Sequence, residues 1–586
     1  MFGLSLTFAR EIIYIPMKRT ILLVCLCFGL HTAIAQQTEA PAYTKSNAFK
    51  EPEMGASRLL LMKNGNTLFF QFTRSKGVNV TVYDQQHQSA GVVNNRIGSW
   101  KPKKMKDADL KALFEVNGNA VVFLEQLIER RPTLYRLIFD GKTGKLLREE
   151  ELAKNHQIPV SETRDRGYGN FQSAQFIVRK DPASEYYAIG VCNVESSAKE
   201  KEHIELIHFA PDHKVISRAL FKSPGGTYRY LVFPDIYVNQ DKYVFIACQG
   251  YNTKATGGQG SHVIIGRLQK GNKSFESKIL DYTDDYNVSM LVLKHRKEDG
   301  LVYMLNAFET KKEDQDKGIM GFANSNYALE MNVLDPVTLE VKNHYLIKHP
   351  QLSAYAEQNT ASKKKRQAGY TGFIQDFRLQ DDGTITYLFE YMQHDSKTMG
   401  TGEAGKSASV TTRTVWLTHM GDIGIVNAGL DGKELSSFTI AKRQTVERTL
   451  DMFLINRRKW SSWHFRAGGI NDVMPAFYSY DYLFVNGREY VFFNDSHVKI
   501  EDERNDFLTR KRSLAISNAN TACATFDGKK VTKAYLFGEP AAKDENKFCQ
   551  LEMITTSEDS KTMATMMIEK KGRRHKKAYI VWVDFK

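Results

Sequence analysis

Eight times along this chain an apolar run meets a tight-turn signal and continues into a second apolar run. The turns are Asn64-Gly65 before residues 67–72, Asn117-Gly118 before 120–124, residues 181–185 before 186–191, and Gln240-Asp241 before 243–247. They continue with Asp299-Gly300 before 301–305, Asp382-Gly383 before 384–389, Asn486-Gly487 before 489–493, and Asp559-Ser560 before 563–568. Five of the eight carry Asn-Gly or Asp-Gly, the pairs that accept positive φ at both central positions of a hairpin turn. The runs draw on 34 Phe and 27 Tyr, residues that favour strands. A chain of this kind is a series of β-hairpins, and long helices are scarce. Residues 107–114 are the one stretch expected to make a turn or two of helix.

Each hairpin is followed by a third apolar run, as at 78–83, 134–139, 204–209, 263–268, 327–334, 423–430, 519–526 and 578–585. Further turns then lead to a fourth run: Asp140-Gly141-Lys142, Asp431-Gly432-Lys433, Asp527-Gly528-Lys529, Asp212-His213-Lys214 and Asp335-Pro336. Four antiparallel strands, repeated, are the blades of a β-propeller. The fold class is therefore all-β, a propeller of seven or eight four-stranded blades. Eight is the first count. Successive first turns lie 53 to 104 residues apart, so some blades carry loop insertions, placed near 340–372, 394–410 and 440–475. The last unit stops after its third strand, and residues 43–49 are available to supply the missing outer strand and remove an open edge. A pair of β-sandwiches, or two smaller propellers, would need the same strands. The pattern resembles the β-propeller superfamily at the level of architecture only. No blade has a Trp-Asp signature or a kelch Gly-Gly pair. Asp381-Asp382-Gly383-Thr384 lacks the Ser and Trp of a sialidase-type Asp box. The resemblance therefore carries no active residues over.

The N-terminus reads as an export signal. Met17-Lys18-Arg19 forms a basic start, residues 21–30 an apolar core, and Ala33-Ile34-Ala35 a small-x-small cleavage site. Residues 1–16 do not belong to that pattern and read as a misassigned upstream extension. The expected mature chain is a single propeller over 36–586, secreted or periplasmic. No later segment reaches 18 consecutive apolar residues, so no transmembrane span is expected in it. The whole chain carries a net charge of +14; removing Arg10, Lys18, Arg19 and Glu11 leaves +12. Such a balance suits anionic surroundings. Four cysteines remain: Cys192, Cys248, Cys523 and Cys549, too few for a disulfide scaffold. One or two bridges are allowed, with Cys523 and Cys549 the closest pair in sequence.

Residues 400–407 match the Walker A pattern, but the β-branched run after Lys406 replaces the helix that motif requires. A Gly-rich hairpin loop accounts for them better. The densest basic-aromatic stretch is 456–466, with Arg457, Arg458, Trp460, Trp463 and Arg466. Aromatic faces stack on sugars or cations, and Arg pairs with carboxylate or sulfate, so these five are the candidate ligand-binding residues. The other reading has both Trp residues packing inward. Polar residues recur near the ends of the second strands: Gln71, Glu125, Asn193, Gln249, Glu309, Glu390, Asn494 and Glu569. Gathered on one rim, Glu125, Glu309 and Glu390 would be candidate catalytic acids. Isolated, they are solvated strand ends. His203 and Glu205 share a strand face, yet no complete metal-ligand set, cofactor motif or Gly-x-Ser-x-Gly elbow is present. The basic runs at 363–366, 510–512 and 570–577 accompany no nucleic-acid reading module. The missing catalytic signatures favour a binding or scaffolding module, for an anionic polysaccharide or a protein partner, over an enzyme. The alternative is a polysaccharide-active hydrolase or lyase using the strand-end carboxylates.

Overall fold

Each turn signal opens a hairpin, and the hairpins join in sequence order into eight antiparallel sheets. The computed structural model describes residues 40–50, 52, 56–73, 77–98, 108–157, 176–193, 203–252, 260–284, 286–309, 327–359, 370, 372–401, 411–455, 475–496, 518–528, 530–540, 545–572 and 575–585. Blade 1 holds β2 (Ala56–Leu61), β3 (Thr67–Thr73), β4 (Gly77–Tyr83) and β5 (Ser89–Asn95). Blade 2 holds β6 (Ala108–Val116), β7 (Asn119–Ile128), β8 (Arg131–Asp140) and β9 (Leu146–Lys154). Blade 3 holds β10 (Phe176–Lys180), β11 (Tyr187–Asn193), β12 (His203–Phe209) and β13 (Val215–Phe221). Blade 4 holds β14 (Tyr230–Asn239), β15 (Tyr243–Tyr251), β16 (Ser261–Gln269) and β17 (Glu276–Leu280). Blade 5 holds β18 (Asn287–His295), β19 (Val302–Glu309), β20 (Tyr327–Asp335) and β21 (Glu340–Leu346). Blade 6 holds β22 (Phe373–Leu379), β23 (Thr384–Thr401), β24 (Thr411–Gly429) and β25 (Glu434–Ile440), with β26 (Gln444–Val446) added to β24. Blade 7 holds β27 (Tyr480–Val485), β28 (Arg488–Ser496), β29 (Ala519–Phe526) and β30 (Val531–Tyr535).

The eighth blade joins the two ends of the described chain. It is built from β31 (Glu545–Cys549), β33 (Thr562–Lys571) and β34 (His575–Asp584), with the short β32 (Thr555–Thr556) beside β33. Its outer strand is β1 (Ala42–Lys45), which pairs antiparallel with β34 from Ala42 opposite Asp584 to Lys45 opposite Val581. Phe49 then bridges to Ala578. The expected closing strand from 43–49 is thus in place, and the ring has eight blades. Trp582 on β34 is wholly buried and donates its indole N–H to Thr67 Oγ1 on blade 1 at 2.9 Å. The imidazole of His87 stacks on it at 3.9 Å.

Burial separates the four strand positions. Second and third strands such as β7 and β8 are buried along almost their full length, because neighbouring blades cover both their faces. That is why they read as continuous apolar runs instead of an alternation. Outer strands such as β9 and β21 alternate or stay open to solvent. First strands of successive blades touch one another and are the innermost. Of the stretch 107–114, expected to be helical, residues 108–114 instead belong to this innermost strand of blade 2. A register shift between Leu110 and Ala112 breaks its period-two alternation and leaves apolar spacings that imitate a helix. The one α-helix described, α1 (Pro350–Asn359), follows β21. In blade 6, β23 and β24 stay paired out to Thr401 opposite Thr411, so Gly400 and Thr401 lie on a hairpin arm. The four cysteines are buried free thiols, so the bridge allowed between Cys523 and Cys549 is not formed. No helix among the described residues is long and apolar enough to cross a membrane.

Candidate functional site

Sequential antiparallel order gives the propeller two unlike ends. Turns between first and second strands, and between third and fourth, fall on one face. They are short and carry the positive-φ residues of the repeat, among them Gly65, Gly118, Gly300, Gly383 and Gly487. The opposite face carries the connections from second to third strand and from one blade to the next. Those include the longest connections of the chain, so this face has the chain length to build a site.

The strand-end polar residues lie toward that face, and several of them are committed to partners there. Gln249 donates its amide N–H to the carbonyl of Tyr286 at 2.5 Å, in the connection leading to blade 5. Asn494 donates to the carbonyls of Phe477 and Cys549 at 2.9 and 2.8 Å and accepts from Thr521. Glu390 is wholly buried, 2.5 Å from Lys442 Nζ, and accepts from Ser479 Oγ at 2.5 Å. Glu125 is buried and faces Lys111 Nζ at 2.8 Å. Gln249, Asn494 and Glu390 thus clasp the chain that passes between blades. Glu309 ends β19 opposite Asn287, and its side chain lies outside the described residues, as does that of Asn193. Arg457, Arg458, Trp460, Trp463 and Arg466 also lie outside them, in the connection between Ile455 and Pro475. Glu205 holds Arg218 through both carboxylate oxygens, at 2.7 and 3.1 Å.

Charges on the innermost strands are committed between blades in the same way. Arg58 meets Glu552 at 3.5 Å, Arg179 meets Asp235 at 3.2 Å, and Lys294 meets Asp376 at 2.8 Å. Burial pushes the Asp235 carboxyl up to about 6, against the pull of Arg179 and of the Leu293 and Ile236 amides. These pairs weld neighbouring blades.

One cluster on the long-connection face is different in kind. It forms where the connection after β13 enters blade 4. Ser223 Oγ accepts the Tyr228 amide at 2.9 Å and turns the chain inward. The Tyr228 ring then lies across β15 at Gly250, where a Cβ would come within 2.8 Å of it. No larger residue fits there. The Tyr228 hydroxyl is 2.5 Å from His262 Nδ1, and His262 Nε2 is 3.8 Å from the exposed carboxylate of Asp284. Burial, and then the charges of Asp284 and Asp281, raise the Tyr228 hydroxyl above the ordinary phenol range. It therefore stays protonated at neutral pH. Beside it Tyr230 and Tyr251, directly opposite in register, stack at 5.0 Å with Arg229 over the Tyr230 ring at 5.6 Å. Asn252 receives the Arg229 amide and donates to the Thr227 carbonyl. The same connection borders a groove of about 730 Å³ lined by Arg218, Lys222, Lys273 and Phe275, with Glu205 the one acidic residue. Sequence reasoning missed Tyr228, His262 and Asp284. They fall in three separate segments, and only the turn before β14 and the pairing of β15 with β16 bring them together.

No family model matches the chain, and no curated protein matches it. Among solved structures it is similar to the polysaccharide lyase Uly1, at 11% identity and a TM-score of 0.38, covering 81% of this chain and 90% of that one. It is similar to an exo-1,5-alpha-L-arabinanase from a bovine ruminal metagenomic library, at 10% identity and a TM-score of 0.23 over 51% of this chain and 98% of that one. It is also similar to the mannose phosphorylase MPT-4 of Leishmania mexicana, at 12% identity and a TM-score of 0.25 over 49% and 81%. At these scores no activity transfers to this chain.

Proposed function

We propose that this is an exported β-propeller that binds an anionic polysaccharide on its long-connection face, at blades 3 to 5. The observation that carries the reading is the stacked Tyr230–Tyr251 pair under Arg229, beside a groove bordered by Lys222 and Lys273. Aromatic faces suit sugar rings, and the cations suit their carboxylates or sulfates. The net charge of +12 expected for residues 36–586 favours the same ligand. Arg457, Arg458, Trp460, Trp463 and Arg466, between Ile455 and Pro475, are proposed to add to this contact. The test is retention of residues 36–586 on acidic and neutral polysaccharides. Acidic chains should be retained, and Tyr230→Ala with Arg229→Gln should weaken retention by about tenfold, as loss of one stacking and one charged contact would. Trp460→Ala with Trp463→Ala is the parallel arm. Absence of retention on every acidic chain sinks the reading and moves a protein partner to the front.

A second reading rests on Tyr228 and His262. A histidine and a protonated tyrosine 2.5 Å apart are an acid–base pair. On an acidic polysaccharide they support elimination. The imidazole takes the proton next to the sugar carboxylate, the electrons form a C=C bond, and the glycosidic C–O bond breaks with a proton from the phenol. Glu125 and Glu390 are instead held in ion pairs with Lys111 and Lys442. Incubation with uronate-rich chains should then produce unsaturated ends, and Tyr228→Phe should abolish them while retention persists. Saturated ends would point to hydrolysis, and retention without new ends leaves the binding module alone.

A further inference from the structure

We propose that blades 4 and 5 hold a hard cation of the calcium class between them at Glu330, an inference that goes beyond glycan recognition. Glu330 lies on β20 and is 3% exposed. Five other buried carboxylates face a fixed cation: Glu125 has Lys111, Glu390 has Lys442, Asp235 has Arg179, Asp376 has Lys294 and Glu552 has Arg58, whereas Glu489 and Asp181 meet only neutral donors. Among the described residues no Lys or Arg lies within ion-pairing distance of Glu330. Its nearest basic group is His344 Nδ1 at 3.6 Å, charged only when protonated. A buried carboxylate without a counter-charge is costly, and a cation removes that cost.

The side chains that hydrogen-bond Glu330 bring further oxygens with them. Tyr286 donates its hydroxyl to Glu330 Oε1 at 3.2 Å. Asn332 donates its amide N–H to Glu330 Oε2 at 3.2 Å, and its Oδ1 accepts from the Tyr282 hydroxyl at 2.5 Å. Asn306 is the independent observation. It stands directly opposite Glu330 in the β19–β20 register, so their side chains share one face. It is fully buried, and neither Oδ1 nor Nδ2 has a partner among the described residues. A buried amide with both ends unsatisfied, next to an uncompensated carboxylate, is short of the same thing: a cation with its water. One carboxylate, two amide oxygens and two hydroxyls are the hard, neutral-to-anionic donors that calcium takes. The site would also order the chain from Tyr282 to Tyr286, which carries Asp284 toward His262.

Terbium reads the site directly, because Tyr282 and Tyr286 would sensitise its emission. Chelator-treated protein titrated with terbium should show saturable, tyrosine-excited emission that calcium displaces. Glu330→Gln should weaken terbium binding by about tenfold or more, through loss of the one charged ligand. Asn306→Asp adds a second carboxylate. It should bind more tightly and melt lower in chelator than in calcium. Equal terbium affinity in wild type and Glu330→Gln places the ion on surface carboxylates and overturns the proposal. So does an Asn306→Asp melting temperature that ignores calcium. If Glu330→Gln does not fold, Asn306→Leu serves instead, and an affinity equal to wild type overturns the site.

Discussion

Glu489 lies just past the Asn486-Gly487 turn, buried between blades 6 and 7 on the short-turn side. Asn427 donates to its Oε1 at 2.6 Å, while Oε2 has no partner among the described residues. Burial pushes this carboxyl up to about 7 from an ordinary 4.5. The native state therefore holds a proton that the unfolded chain releases earlier. Stability from this group is complete below pH 4.5 and is lost as pH rises to about 7. The shift corresponds to roughly 3 kcal/mol. Glu489→Gln should match wild type at pH 4 and exceed it by a few kcal/mol, of order 3, at pH 8. Urea unfolding at the two pH values measures this, and parallel pH curves for the two proteins would rule it out.

At the scale of elements, the hairpins were the legible part. Asn-Gly and Asp-Gly set the turn geometry locally, so no distant contact was needed to read Asn64-Gly65 or Asn486-Gly487. Residues 519–526 were read as a strand to the residue, and they form β29. The innermost strand of blade 2 was not legible, because a bulge shifts its pattern and only its neighbours reveal why. The closing strand could be read only as a shortage, a last unit with three strands. Its contacts now predict its worth. Ser46 N–H donates to Ile580 O at 2.9 Å and Ser46 Oγ accepts the Ile580 amide at 3.0 Å. Phe49 exchanges two backbone bonds with Ala578 and packs on Phe69 at 5.4 Å, while Tyr43 packs on Phe537 at 5.4 Å. Deleting residues 41–50 should lower stability by about 3–5 kcal/mol, summing the net value of such bonds with modest apolar burial. It should also leave the β34 edge open to self-association. Urea midpoints and light scattering report the two effects. A truncated chain as stable and monodisperse as the full one would show that the ring does not depend on this strand.

For the whole molecule, the division into a short-turn face and a long-connection face was implicit in the loop lengths, but the site on it was not. Tyr228, His262 and Asp284 have no motif spacing, and a single sequence offers no signal that three separated segments meet. The strand-end carboxylates looked like a rim because their spacing repeats. At Gln249 and Glu390 these positions serve an architectural task. Each blade must be tied to the next, and a polar residue late in the second strand reaches the passing chain, as Gln249 and Glu390 do. On the proposed reading, the connections supply what a ligand would meet. The two faces should then behave differently toward a polyanion. Lys142 and Lys433 sit in exposed turns of the short-turn face. Lys222 and Arg229 sit in the connection that enters blade 4 on the long-connection face. Reversing Lys222 and Arg229 to Glu should cut affinity for an acidic polysaccharide by about tenfold or more at low salt, with the deficit shrinking as ionic strength rises and the Debye length falls below about 8 Å. The same reversal at Lys142 and Lys433 changes net charge equally, so it should alter long-range attraction only slightly and leave the dissociation rate unchanged. Surface plasmon resonance on an immobilised acidic chain separates these outcomes. Equal losses from both pairs would mean that overall charge, and not a face, captures the ligand.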